Sequence, residues 1–288
     1  MWGRFKAWRR NRILAAVRLD ERAWRLAIQR FPFTRVLSTD ERDRLRELTL
    51  LFMHDKRFSS AHGLRLTDDM QLHVAVQACA LILNLGLEYY RGWREIVLYP
   101  AGFVPRHQHV DEAGVVHEGD EVYAGEAWLH GPVILSWADI AESDYPDGVN
   151  VVIHEFAHKL DMLNGSANGY PPLHRGMDRR TWSEAFNTAY HDLCTRVDSG
   201  EDTIIDPYAS ESPGEFFAVL SEAFFELPDV VQAEYPRVYA QLAQFYRQDP
   251  LASLQGRMGA VSYSAPQEEA DGGTQAAVVE RSGPGRRR

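Results

Sequence analysis

His154 and His158 stand four residues apart, with Glu155 directly after the first, in the run Val151-Val152-Ile153-His154-Glu155-Phe156-Ala157-His158-Lys159-Leu160-Asp161. The apolar residues around them predict a helix. On a helix, residues four apart lie one above the other on a single face, so both imidazoles address the same point. Two neutral imidazoles at that spacing can hold one Zn2+. The ion lowers the pKa of a water, and a neighbouring glutamate takes the proton as the water attacks a carbonyl. The segment therefore reads as the centre of a metal-assisted hydrolase. Asp147-Gly148 before it and Asn164-Gly165 after it are start and stop signals for the helix.

A catalytic zinc usually takes three protein ligands and leaves one position open. Asp161, His174, Glu211, Glu215 and Glu222 are the candidates for the third. Asp161 lies seven residues beyond His154, roughly 10 Å along a straight helix, which points to a structural or supporting role. His174 sits in a Pro-rich loop. A second apolar helix begins near Ser212-Pro213-Gly214-Glu215, and Glu215 and Glu222 share one of its faces. A carboxylate on a buried helix needs a cation or hydrogen bonds. Glu215 is equally well placed to close a capping box on Ser212, so spacing leaves the third ligand open.

The elements around these residues follow from their patterns. Ser38-Thr39-Asp40-Glu41 is a capping-box start, and Leu45, Leu48, Leu51 and Phe52 recur at helical spacing. A buried helix is expected over residues 68–85. Ile96-Val97-Leu98-Tyr99 and Val133-Ile134-Leu135-Ser136-Trp137 read as strands, the second offering an edge to an extended peptide. Asp111-Glu112-Ala113-Gly114 suggests a hairpin, and helices with loops follow from residue 147. Helices, a small antiparallel sheet and further helices make an α+β fold. Residues 8–30 read as an amphipathic helix, either a solvated arm or a membrane-surface contact. The division expected is a basic helical arm over 1–34, a main domain over 35–252 (35–92 helical, 93–252 catalytic) and a disordered tail over 257–288.

Composition narrows the functions. The chain has 288 residues, 45% hydrophobic and 25% charged, with a net charge of −10. That excludes a chain disordered throughout, and the acidic balance argues against nucleic-acid binding. No stretch reaches the ~18 uninterrupted apolar residues of a membrane span. Two isolated cysteines, Cys79 and Cys194, form no disulfide framework, as expected of a cytoplasmic protein.

Longer stretches resemble a known family. Gly92-Trp93-Arg94-Glu95-Ile96-Val97-Leu98-Tyr99-Pro100, Gly125-Glu126-Ala127-Trp128, Gly131-Pro132-Val133-Ile134-Leu135-Ser136-Trp137, the His154–His158 segment, and Ile205-Asp206-Pro207-Tyr208-Ala209 through Glu222 resemble the Mlc titration factor A family of bacterial zinc peptidases. The resemblance covers about residues 35–252. It implies a zincin-like fold with a lethal-factor-like gluzincin site, Zn2+ as cofactor, Glu215 as third ligand, Glu155 as general base and Tyr208 as hydrogen-bond donor to the oxyanion. It also implies His117 as a fourth zinc contact in a closed state. The implied activity is hydrolysis of a peptide substrate, in the manner of an aminopeptidase. The family name implies a partner, an Mlc-like transcriptional repressor of glucose phosphotransferase genes, held by stoichiometric capture.

Overall fold

A computed structural model describes residues 2–17, 19–102, 109–110, 116–117, 125–127, 131–142 and 147–262. The chain opens with α1 (Trp2–Ala16), α2 (Glu21–Arg30), α3 (Pro32–Arg35) and α4 (Thr39–Asp55). Next come β1 (Arg57–Ser60), α5 (Asp68–Leu81), β2 (Glu95–Tyr99), β3 (His109–Val110), β4 (Val116–His117), β5 (Gly125–Ala127), β6 (Val133–Ser136) and α6 (Trp137–Glu142). The remainder is helical: α7 (Val151–Asp161), α8 (Arg179–Asp198), α9 (Pro213–Glu226), α10 (Pro228–Glu234), α11 (Pro236–Tyr246) and α12 (Pro250–Ser262). The last four helices each start at a proline, whose fixed φ suits the first turn and whose missing N–H costs nothing there.

Local chemistry sets several boundaries. The capping box at Ser38 forms in full, Ser38 accepting from the Glu41 amide while the Glu41 carboxylate accepts from the Ser38 amide. Asp20 accepts from the Arg22 and Ala23 amides and starts α2, so residues 8–30 form parts of two helices where one was expected. Trp24, Ala27, Ile28, Phe31 and Phe33 join the same buried core as the residues beyond position 35. Helix α12 passes residue 257, and residues 263–288 of the expected tail lie outside the described residues.

The sheet corrects an expectation. Its order is β1-β2-β6-β5, with β1 parallel to β2 and β2 parallel to β6; β5 alone runs antiparallel, against β6. The small sheet is therefore mainly parallel, where an antiparallel one was expected. Parallel neighbours need a crossover connection, and α5 supplies it between β1 and β2. The sequence Arg-Phe-Ser-Ser of β1 has no apolar alternation to mark it as a strand, so neither β1 nor the crossover was legible. The hairpin reading does hold locally: β3 and β4 pair antiparallel, His109 opposite His117. Strand β6 is flanked on both sides, so β5 and not β6 forms the edge next to it.

The core lies between the sheet and the helices. Ile96 pairs with Val133 and Leu98 with Leu135, all fully buried. Phe156 on α7 packs against Phe52, Tyr90 and Trp93, with ring centroids 5.2–5.8 Å apart. On the other side Trp182 stacks on Phe186 and meets Phe217 and Phe245. Helices α7 and α9 are nearly wholly buried between these two aromatic groups. No helix among the described residues is long and apolar enough to cross a membrane.

One buried group gives a stability test. Glu226 is buried, its Oε2 has no partner among the described residues, and burial pushes its carboxyl up to about 8. The folded protein then holds a proton that the unfolded chain releases near the ordinary glutamate value of 4.5. Stability falls as pH rises between these two values. Glu226→Gln is expected to flatten this slope and raise the melting temperature at pH 8 by about 2–4 °C for each ~1 kcal/mol gained. Melting curves from pH 4.5 to 8.5 check it, and equal slopes for both proteins would contradict it.

Candidate metal centre

Helix α7 begins at Asn150, whose side-chain oxygen accepts from the Ile153 amide. The cap thus falls two residues after the expected Asp147-Gly148. Ile153, Phe156, Ala157 and Leu160 are fully buried. They root the helix in the core and leave His154 and His158 on the other face. Helix α9 begins at Ser212, which accepts from the Glu215 amide at 3.1 Å. Only that half of the capping box forms, because the Glu215 carboxylate turns to the histidines.

Three donor atoms converge there. His154 Nε2 lies 2.9 Å from Glu215 Oε2 and 3.1 Å from His158 Nε2, and His158 Nε2 lies 3.3 Å from Glu215 Oε2. Donor atoms around a tetrahedral divalent ion with bonds of roughly 2.0–2.1 Å stand roughly 3.3–3.4 Å apart. The triangle therefore has the size and the ligand chemistry, two imidazoles and a carboxylate, that such an ion needs. All three ligand atoms lie within 4.8 Å of one another. The sites are strongly coupled electrically. Burial opposes a charge on His154, but Glu222 and Glu215 outweigh it and hold the ring's pKa well above the usual range. Burial likewise opposes ionisation of Glu215, and the two histidines outweigh it, holding its carboxyl far below the carboxylate range. A cation held by His154, His158 and Glu215 would supply the positive charge that the His154 proton supplies without it.

Glu222 is separated from Glu215 by function. Its Oε1 accepts from His154 Nδ1 at 2.7 Å and its Oε2 accepts from the Asn150 amide. With an ion in place of the Nε2 proton, this carboxylate would keep the remaining proton on Nδ1 and present Nε2 to the triangle, the usual support of a metal-ligating imidazole. Glu155 is 4% exposed and its Oε2 has no partner among the described residues. Burial pushes its carboxyl up to about 7, against the pull of His154 and His158. A carboxyl with that pKa can take up and release a proton near neutral pH.

The other sequence candidates fall as follows. Tyr208 lies in the short turn 207–210, with its ring centroid 6.1 Å from that of His154 and 45% of its surface exposed. Glu211 is exposed and outside the triangle. His174 is elsewhere, accepting from the Tyr89 hydroxyl and donating to the Phe245 carbonyl. Asp161 is fully buried and accepts from the Asn168 and Gly169 amides, both at 2.7 Å, the structural part expected of it. His117 lies on β4, and its side chain is outside the described residues. Sequence reasoning missed Lys159, which is buried, donates to the Gly131 carbonyl at 3.0 Å and sits 5.0 Å above the Trp93 ring. A lysine after the second histidine carries no signal that separates it from a solvated one.

A helical pair of histidines completed by a glutamate from a second helix defines a site of the metallopeptidase type. The chain belongs to the glucose-regulated metallo-peptidase M90 family, whose pattern it matches over residues 5–247. It is also similar to Mlc titration factor A of Yersinia pestis (strain Pestoides F), 36% identical over 248 residues, or 85% of this chain and 91% of the relative. The Mlc titration factor A of Yersinia pseudotuberculosis serotype O:1b (strain IP 31758) matches to the same extent. The family match begins well before residue 35 and so includes α2, in keeping with its place in the core.

The placement of α9 depends on close backbone packing. Gly169 has φ +75°, and a Cβ there would stand 2.4 Å from the Pro213 carbonyl oxygen. Gly169→Ala is expected to destabilise by about 2 kcal/mol or more, roughly 4–8 °C in melting temperature. Gly176, at φ +106° with nothing within 4 Å, isolates the backbone penalty. Thermal melts of both alanine variants should show Gly169→Ala clearly worse, and equal losses would contradict the close-packing account.

Proposed function

We propose that the protein is a zinc-dependent peptidase, with His154, His158 and Glu215 as ligands and Glu155 as general base. The observation that carries this reading is the convergence of three donor atoms on one point beside the buried Glu155, whose Oε2 has no partner among the described residues. Zinc held there would polarise the scissile carbonyl and acidify the attacking water. Glu155 would accept the proton of that water and pass it to the leaving amine. Tyr208 would donate its phenolic hydrogen to the developing oxyanion, and its exposure beside His154 suits a group that meets substrate. The edge strand β5 would pair with the backbone of an extended peptide. The resemblance extends the reading to an aminopeptidase-like specificity and to His117 as a fourth ligand that closes the site. Two cysteines free of any disulfide support a cytoplasmic setting.

The name of the relatives favours a second activity, stoichiometric capture of an Mlc-like transcriptional repressor. Capture needs no general base, so one substitution separates the two. Glu155→Gln is expected to keep about one zinc per chain and to lose 10²–10⁴-fold in peptide hydrolysis, roughly the share of a general base. Metal analysis with turnover of amino-terminal chromogenic and longer peptides checks it. Full activity in the variant, or a wild type without metal, would overturn the enzymatic reading; a purified repressor held equally by both proteins would establish capture as a separate function.

A further inference from the structure

Asn150 does more than start a helix. Serine and aspartate cap equally well through one oxygen, and Asn150 does use its side-chain oxygen that way, on the Ile153 amide. What asparagine adds is a pair of N–H donors, and both are engaged. Its Nδ2 donates to Gln77 Oε1 on α5 at 2.7 Å and to Glu226 Oε1 on α9 at 2.8 Å. Its backbone amide donates to Glu222 Oε2, whose other oxygen holds His154 Nδ1. The residue is 1% exposed, and Gln77 is tied in turn to the His73 carbonyl. One side chain thus locks the first turn of α7 to both neighbouring helices, at the point where Glu222 meets His154.

We infer that Asn150 is a positioning residue of the metal centre, setting metal affinity through Glu222 and the orientation of His154. The inference rests on the metal-centre reading above. A helix cap alone would contribute to stability and leave affinity untouched. Positioning moves affinity, because supporting partners of a ligand typically shift metal binding 10–100-fold.

Two variants distinguish these. Asn150→Ser keeps a capping oxygen and removes both donors. Glu226→Met removes one anchor and leaves the cap intact, and replacing a buried carboxyl that has an unpartnered oxygen with an apolar side chain is compatible with folding. Zinc affinity of the full chain is measured by competition with a chromophoric chelator, beside the melting temperature of the metal-free protein. Asn150→Ser is expected to bind zinc about tenfold more weakly. Glu226→Met is expected to bind several-fold more weakly with a melting temperature equal to or above wild type, a divergence that a merely structural role does not produce. If Asn150→Ser fails to fold, Glu226→Met decides alone. Zinc binding by the folded variants at the wild-type level would overturn the inference and leave the metal centre standing. A wild type that binds no zinc would remove the metal centre itself and this inference with it.

Discussion

Helices α7 and α9 press against each other, and the faces that meet carry His154, His158, Glu215 and Glu222. Charged groups taken out of water must find partners or become neutral. Here they find one another, in an order that leaves nothing interchangeable. Glu222 takes the Nδ1 side of His154, Glu215 the Nε2 side, and His158 closes the triangle. The arrangement exists only while the two helices keep their relative height. A slip of one turn, 5.4 Å, would bring each carboxylate against the wrong atom.

The surrounding structure holds that height from both ends. At the start of α7, Asn150 joins its first turn to Glu222 and Glu226. At its far end, Asp161 gathers the amides of Asn168 and Gly169. Those residues lie directly against the first turn of α9, where a Cβ on Gly214 would stand 3.0 Å from the Ala167 carbonyl oxygen. The aromatic group around Phe156 sets the depth of α7 in the core. Lys159 ties the same helix to Gly131, in the connection between the edge strand β5 and β6. Helix α7 is thereby tied to the sheet next to its edge strand.

Some of this was legible in the sequence. The spacing of His154 and His158 places both rings on one helical face whatever the fold, and the apolar neighbours show which side is buried. Spacing could not separate Glu215 from Glu222, because residues seven apart on a helix share a face; the resemblance named Glu215, and the geometry shows the two carboxylates on opposite nitrogens of one ring. The direction of the sheet was not legible. Strand β1 has no alternation, and a crossover through α5 reads as an ordinary buried helix. Asn150 was invisible for a related reason: a short polar residue before an apolar run signals a cap, while its second and third partners come from residues more than seventy positions away.

The central claim is that His154, His158 and Glu215 together hold one metal ion. Anomalous diffraction from crystals of the zinc-loaded protein, collected on both sides of the zinc edge, tests it most directly. The account predicts a single strong peak at roughly 2.0–2.2 Å from His154 Nε2, His158 Nε2 and a Glu215 carboxylate oxygen, with Glu222 still on His154 Nδ1. A peak ligated by Glu222 in place of Glu215, or one away from α7 altogether, would contradict it.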